Sequence, residues 1–294
     1  MKKSKQIILF FIITGVLCAL IFPVSEDPLT SSVYVVICTS LLTFIFNVIT
    51  EYSWTDRLWG TLPVFISWIY FIKTGKPVLL VTAVLITIWG ARLTFNFSRR
   101  GGFNSIEDYR WSYLHKNMGG GLVWQLFSFF FIACYQQGLF IAFTSPLEVV
   151  ALNGMINIGT VIFSIIAILF LVFETVADQQ QWEFQESKYG KRKKQSRFEK
   201  EYQQGFRTSG LFRICRHPNY LGELGFWWSV YFLCSSTAGS FINFSLTGPV
   251  LLTLLFVGSV SFTERISSGK YPDYSNYKKR VSAVLPLPWK IIGK

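Results

Sequence analysis

The sequence predicts an all-α membrane protein, a polytopic bundle of about seven or eight transmembrane helices with both termini in the cytoplasm. Two observations lead to this prediction. Of the 294 residues, 51% are hydrophobic and only 15% are charged, and the apolar residues gather in long runs that exclude charge. A hydrocarbon core of about 30 Å requires about 20 apolar residues in helical form. Such a surface needs lipid as its solvent, which excludes an ordinary soluble fold.

Eight apolar runs fit transmembrane helices by length and composition. They are residues 7–22, 33–49, 58–72, 78–97, 122–143, 155–176, 224–242 and 246–262. The third run carries Pro63, so we expect it to be tilted, broken or only partly inserted, which leaves the number uncertain by one. We expect a single transmembrane domain over residues 1–294, in which residues 1–50 form two N-terminal helices.

The positive charges predict the orientation of these runs. If the basic N-terminus is inside, eight crossings leave only Lys73 and Lys76 outside among the 28 Lys and Arg residues. Cytoplasmic loops carry an excess of Lys and Arg. This favours two cytoplasmic termini, and we expect a bacterial inner membrane. A cleaved signal peptide is the alternative for the first run, and its removal would not change the remaining topology.

The composition also bears on partners. The net charge of +12 is explained by loop charge attracted to the anionic headgroups of membrane lipids. No recognised nucleic-acid motif is present, so nucleic acid is not an expected partner. The five cysteines are isolated and the histidines number two. This pattern predicts neither a disulfide framework nor a metal site.

A first polar cluster lies in the fourth run and just after it. Trp89, Arg92, Asn96 and Arg99 are spaced by three and four residues and so share one helical face. Ionisable groups inside a membrane are costly, and function is the first explanation to consider for them. The alternative for Arg92 is a side chain that extends to the inner headgroups. A compact charged loop that contains Arg110 follows.

A second cluster closes the sixth run. Glu174, Asp178, Gln181 and Gln185 follow the spacing i, i+4, i+7, i+11 and therefore share a face. Two acids on one face repel each other unless cations or hydrogen-bond donors satisfy them. A structural ion pair and a ligand site explain this pattern equally well.

A third cluster is the most specific. It consists of Arg213, Arg216, His217, Pro218, Asn219, Tyr220 and Glu223. Pro218 suits the first turn of a helix, where free backbone amides and the helix dipole attract anions. The pattern therefore predicts a site for a phosphate or carboxylate. The alternative is a capped helix end that only contacts lipid headgroups.

The segment 216–223, Arg-His-Pro-Asn-Tyr-x-Gly-Glu, resembles the signature of steroid 5α-reductase-like membrane proteins, particularly their bacterial branch; we call it the signature segment. Residues 89–96, 107–111, 174–180 and 271–286 resemble the same family in the same order, so the similarity covers residues 53–289. The resemblance implies an α-helical membrane fold that holds NADPH in a cytoplasm-facing cavity. It also implies a membrane-embedded oxidoreductase that reduces a carbon–carbon double bond. A lipophilic, steroid- or isoprenoid-like substrate would enter from the bilayer.

The resemblance assigns cofactor-contacting positions to Asp178, Asn219, Glu223, Arg92 and Arg207. With the polar clusters, the predicted cofactor-binding set is Arg92, Asn96, Arg110, Glu174, Asp178, Arg207, Arg213, Arg216, His217, Asn219, Tyr220, Glu223 and Arg280. Arginines suit the phosphates, while amides and carboxylates suit the carboxamide, ribose and adenine. No Gly-x-Gly-x-x-Gly motif follows a strand pattern, so a Rossmann domain is not expected.

The catalytic positions of the steroid reductases are not reproduced. Where the family carries a glutamate before a helix proline and a tyrosine before the basic residue, this chain has Thr61 and Trp89. Neither side chain can act as the same proton donor. Candidate donors are therefore Asp56, Tyr109 and Tyr220.

Two other classes compete with the reductase. Isoprenylcysteine carboxyl and phospholipid methyltransferases also place an Arg-His-Pro-x-Tyr segment before a helix, and they bind S-adenosylmethionine with paired glutamates in the last helix. Here Glu264 is followed by Arg265 and not by a second acid, so the pair of glutamates is not reproduced. A transporter is the non-enzymatic alternative, since charges within the membrane also line permeation paths. The polar clusters gather at the inner membrane edge and not at the midplane of broken helices, which favours the reductase.

Overall fold

The computed structural model describes residues 3–104, 107–190 and 194–287, apart from the side chain of Tyr109. The α-helices are α1 (Lys3–Ile21), α2 (Pro28–Ile49), α3 (Trp54–Leu58), α4 (Leu62–Thr74), α5 (Pro77–Arg99), α6 (Tyr109–Met118), α7 (Gly121–Phe127), α8 (Gln136–Thr144), α9 (Pro146–Asn153), α10 (Ile158–Tyr189), α11 (Glu199–Gln204), α12 (Pro218–Thr237), α13 (Thr247–Lys270) and α14 (Tyr274–Arg280). A π-helical segment, Ser128–Tyr135, joins α7 to α8. Within these residues no strand occurs beyond one isolated bridge, so the all-α prediction is confirmed.

Six helical segments of the described chain are long and apolar enough to cross a membrane. They are Lys3–Val24, Pro28–Ile49, Pro77–Arg99, Gly121–Asn153, Ile158–Tyr189 and Phe244–Lys270. The other two predicted runs are also largely helical but fall outside this group. The run 58–72 is interrupted after α3 and leaves α4 with 13 residues, and α12 carries Asn219 and Glu223 in its first turns. The protein is therefore a multi-pass membrane protein.

Helix α10 continues well beyond the run 155–176 from which it was predicted. It ends only at Tyr189, so residues 177–189, which follow the apolar run, are also helical. Phe184 and Ser187 remain buried in this extension, and residues 177–189 include no proline or glycine. The helix continues because one face still packs against protein after the apolar run has ended.

The chain divides into two compact units. The first comprises Met1–Ser164 and Val230–Pro249, and the second comprises Ile165–Ser229 and Val250–Lys294. The prediction of a single transmembrane domain stays a prediction.

In the first unit, α4 and α5 approach closely at two glycines. A Cβ atom at Gly90 would meet the carbonyl oxygen of Gly60 and Cγ2 of Val64. Trp89 beside it is fully buried. Gly90 is therefore a packing residue beside the first polar cluster, because only glycine leaves room there for the backbone of the chain just before α4.

Buried polar side chains also connect helices in the first unit. The amide of Gln137 accepts a hydrogen bond from Thr39 Oγ1 at 2.7 Å and donates one to Thr43 Oγ1 at 2.8 Å. Thr55 Oγ1 donates to the carbonyl oxygen of Ile132, inside the π-helical segment, at 2.7 Å. Such bonds join helices in an apolar environment, where association by the hydrophobic effect is absent.

Candidate functional site

The second unit contains three buried acids on two helices. Glu174 and Asp178 lie one turn apart on α10, Glu223 lies near the start of α12, and each is at most 6% exposed. The helices approach at Gly222, where a Cβ atom would meet the Cβ and Cα atoms of Glu174. Carboxylates buried beside apolar helices are costly, and they most often mark a functional site.

The start of α12 presents the polar part of the signature segment. The helix begins at Pro218, as predicted, and Asn219 and Glu223 are one turn apart on it. Glu223 Oε1 accepts a hydrogen bond from Trp227 Nε1 at 3.2 Å. The ring of Tyr220, a candidate proton donor, stacks on His217 with ring centres 5.2 Å apart. Asn219, Tyr220 and Glu223 thus share the first two turns of one helix.

Arg216 and His217 contact an acid that sequence reasoning did not assign to the site. The guanidinium of Arg216 donates to both carboxylate oxygens of Glu264, at 2.6 and 3.0 Å. His217 Nε2 lies 3.0 Å from Glu264 Oε1, and Lys278 Nζ lies 3.3 Å from Oε2. Glu264 is only 3% exposed. We refer to these four residues as the Glu264 cluster.

The segment 278–283, which we call the C-terminal segment, accepts hydrogen bonds from Arg216 and His217. The backbone N–H of Arg216 donates to the carbonyl of Ser282, and that of His217 donates to Ala283, both at 2.9 Å. Arg216 Nη1 also donates to the carbonyls of Lys278, at 3.1 Å, and Val281. Most N–H donors of Arg216 are therefore used within the second unit.

Arg207 is likewise an internal residue. It is 7% exposed, it donates to the carbonyls of Gln180 and Ser209, and it lies over the ring of Phe198. Burial lowers the pKa of the Arg207 guanidinium from its usual value, because charge is disfavoured away from water. Its neighbour Glu201 accepts hydrogen bonds from backbone and hydroxyl groups of the loop that follows Arg207. Arg207 and Glu201 together fix this loop.

Arg213 and Arg280 differ from the arginines above because both are exposed. Arg213 closes a 3₁₀ turn ahead of the signature segment, and Arg280 is the last residue of α14. Among the predicted cofactor-binding arginines of the second unit, these two present their charge to solvent.

The first unit holds Arg92, Asn96 and Arg110. Asn96 is buried and accepts a hydrogen bond from Arg99 Nε at 2.9 Å. Arg92 is partly buried on the same helix. Arg110 donates to both carboxylate oxygens of Asp108, at 2.9 and 2.8 Å. The guanidinium of Arg110 is therefore paired with an acid two residues away.

Asp56, a candidate proton donor, lies on α3 and contacts the residue that follows Arg110. Its Oδ2 accepts a hydrogen bond from Trp111 Nε1 at 2.7 Å. Burial, reinforced by the nearby charge of Asp108, raises the pKa of Asp56 to about 6, against the opposing effects of Arg110, Trp111 and Arg57. The side chain of Tyr109, another candidate, lies outside the described residues. Asp56 therefore holds its proton to a higher pH than an ordinary aspartate does.

Asp56→Asn is expected to remove a pH dependence of stability. The pKa of Asp56 in the folded state lies above its unfolded value of 3.8. Ionisation of this carboxyl therefore lowers the free energy of unfolding as the pH rises from 3.8 through about 6. Above that range its ionisation costs about 1–3 kcal/mol. Asparagine keeps an acceptor for Trp111 and carries no charge. The variant should melt at a higher temperature than the parent at about pH 8 and not at about pH 4; an equal gain at both would contradict the assignment.

An apolar groove of about 530 Å³ lies in the first unit, lined mainly by α1 and α4. Gly15 and Ala19 line it from α1, and Phe65 and Trp68 line it from α4. Thr61 is also part of the lining. Leu58, on the short helix α3, also lines the groove. Asp56 lies on the opposite side of α3, because two residues correspond to about 200° of helical rotation.

Glu264 is the main residue that sequence reasoning missed. The predicted run ended at 262, two residues before Glu264, while α13 continues to Lys270. The signal was present, since an acid at the end of a long apolar helix needs a partner. The partner could not be found from spacing, because Arg216 lies 48 residues earlier.

The fold and the buried acids define a polytopic α-helical membrane protein with a polar site built into its helices. The chain belongs to the family described as "Protein of unknown function (DUF1295)", which matches residues 43–281. It is 35% identical over 270 residues to the uncharacterized protein C594.04c of Schizosaccharomyces pombe, covering 84% of this chain and 78% of the relative. No solved structure matches it.

Proposed function

We propose that the protein is a membrane-embedded NADPH-dependent oxidoreductase that reduces a carbon–carbon double bond of a lipophilic substrate. One observation carries the proposal: Glu174, Asp178 and Glu223 are buried together in the second unit, on the two helices that meet at Gly222. Asn219 is on the α12 face that carries Glu223. The resemblance to steroid 5α-reductase-like proteins supports the same choice.

The chemistry of these side chains fits a nicotinamide dinucleotide. Carboxylates accept hydrogen bonds from ribose hydroxyls, and the Asn219 amide can both donate to and accept from a carboxamide. For the phosphates, the candidate cations are Arg213 and Arg280, whose side chains are exposed. The bound dinucleotide would supply the hydride. The role of the protein is to bind and orient it.

The groove between α1 and α4 supports a lipophilic substrate. Its lining is mostly aliphatic and aromatic, and its volume of about 530 Å³ lies within the range of small-molecule sites. Both helices belong to the membrane-associated part of the chain, so a steroid- or isoprenoid-like molecule would enter from the bilayer. The hydroxyl of Thr61 offers one polar group among apolar ones.

Ligand titration tests the cofactor. The protein, in lipid nanodiscs, is titrated with NADPH, NADH and S-adenosylmethionine while its thermal unfolding is followed. We expect NADPH to stabilise it, by about 2.7 kcal/mol at a hundred times Kd. Glu223→Gln should bind NADPH more weakly, while Glu183→Gln, a matched change at a partly exposed glutamate, should not. Stabilisation by S-adenosylmethionine alone would favour the methyltransferase, and no effect of either nicotinamide would remove the proposal.

Gly15→Phe tests the groove as the substrate site. A Cβ atom at Gly15 has no neighbour within 4 Å, so the ring can enter the groove without disturbing the fold. We expect KM for a 3-oxo-4-ene steroid or a polyprenyl aldehyde to rise by about tenfold or more, with NADPH affinity unchanged. Nicotinamide oxidation measures this.

Gly138→Phe is the matched control for that variant. Gly138 is an exposed glycine of α8 whose Cβ position is equally open, and it does not line the groove. An equal rise of KM in both variants would show that the effect is not specific to the groove.

A further inference from the structure

Glu264 occupies an unusual position at the end of the last long helix. It is buried, yet its carboxylate contacts Arg216, His217 and Lys278. The pair with Arg216 is bidentate, the geometry that fixes orientation as well as distance. An acid held in this way determines where its partners lie.

Two of the partners of Glu264, Arg216 and His217, directly precede α12, the helix that carries the candidate cofactor residues Asn219 and Glu223. Pro218 opens α12 immediately after His217. Asn219 and Glu223 follow within two turns, so the direction of this helix start depends on where Arg216 and His217 are held. On the other side, the contact of Gly222 with Glu174 holds α12 against α10.

The C-terminal segment completes the support. Its backbone pairs in parallel with Cys215, which directly precedes the signature segment, through an isolated β-bridge between Cys215 and Ser282. Tyr277 Oη donates to the carbonyl of Phe212 at 2.5 Å, and Val281 is fully buried beside it. The first turn of α12 is therefore held by Glu264 of α13 and by the segment 277–283, which is itself bonded to Phe212 in the loop before α12.

We propose that Glu264 is a positioning residue for the cofactor site, which fixes the start of α12 through Arg216 and His217. This inference rests on the proposed function for its ligand. It assigns Arg216 and His217 a supporting role, in place of the direct cofactor contact expected from the sequence. Because an ionised carboxylate only accepts hydrogen bonds, it also assigns the proton of neutral His217 to Nε2.

The two roles of Arg216 and His217 predict opposite results for Glu264→Gln. If Glu264 positions them, its loss should weaken NADPH binding by about tenfold or more, the scale on which supporting groups act. If Arg216 and His217 bind the phosphates directly, removal of the competing acid should leave the affinity unchanged or raise it. The second result would overturn the inference. Glu264→Asp, which keeps the charge, should recover part of the affinity, and Glu183→Gln is again the matched control.

Two readouts do not depend on NADPH. The chain has two histidines, so the ring nitrogen signals of isotope-labelled histidine can be assigned with a His115→Gln variant. In Glu264→Gln the His217 signals should change, and amide hydrogen exchange over residues 218–223 should become faster. Unchanged ring signals and exchange would overturn the inference, even if the parent protein bound no nicotinamide.

A second variant protects the test against misfolding. Arg216→Lys keeps the positive charge but cannot form the bidentate pair together with both carbonyl contacts. If Glu264→Gln cannot be purified, Arg216→Lys should still show weaker NADPH binding and faster exchange at the start of α12. Parent-like behaviour of this variant in both measurements would contradict the positioning role.

Discussion

Replacement of Glu51 by alanine is expected to lower the free energy of unfolding by about 3–5 kcal/mol, the cost of leaving a buried charge without its partner. The charge is Arg57, whose side chain is completely buried and pairs with Glu51. Lys3 bonds to the same acid, so Glu51 joins the start of α1 to the link between α2 and α3. Thermal or denaturant unfolding in detergent measures the change.

A double variant separates the buried charge from other effects of the substitution. When Arg57→Met accompanies Glu51→Ala, no buried cation remains, and an apolar side chain of similar length fills the space. We expect the double variant to be more stable than Glu51→Ala alone. If both variants were equally unstable, loss of the ion pair would not be the cause.

Gly90→Val is the second change with a large expected effect. Its side chain would overlap the carbonyl oxygen of Gly60 and the side chain of Val64, and a backbone atom cannot move aside as a flexible side chain can. Overpacking of this kind costs about 1–3 kcal/mol and sometimes more. We expect a melting temperature lower by several degrees, together with displacement of α4 from α5.

The control for this prediction is Gly138→Val. The two glycines lie in membrane helices of the same unit, and only Gly90 has a close neighbour at its Cβ position. Gly138→Val should leave the melting temperature nearly unchanged, because valine is a better helix former than glycine. A comparable loss in both variants would contradict the packing explanation.

Local patterns predicted the helices well. The apolar runs became helices, because transfer of a contiguous apolar segment into lipid depends on composition and length alone. Pro218 marked the start of α12 for an equally local reason, its fixed φ angle and missing N–H. The predicted acidic face of α10 also appears, with Glu174 and Asp178 both buried.

The boundaries of the helices were less predictable. The hydropathy of the run 58–72 did not predict that residues 59–61 would separate α3 from α4. The ends of α10 and α13 extend past the apolar runs from which these helices were predicted. In α10 and α13 the helix continues because residues past the apolar run, such as Phe184 and Glu264, are still buried against other parts of the chain. Hydropathy does not contain that information.

The sequence by itself determined that this is a multi-pass α-helical membrane protein and that its polar residues gather at a few helix ends. Only the tertiary structure decided which of them meet. It paired Arg216 with Glu264 and with the carbonyls of the C-terminal segment, and it used Gly222 to bring α12 onto Glu174. The physical reason is that burial in lipid and helical spacing are properties of neighbouring residues. The partner of a buried charge depends instead on which distant helices pack together.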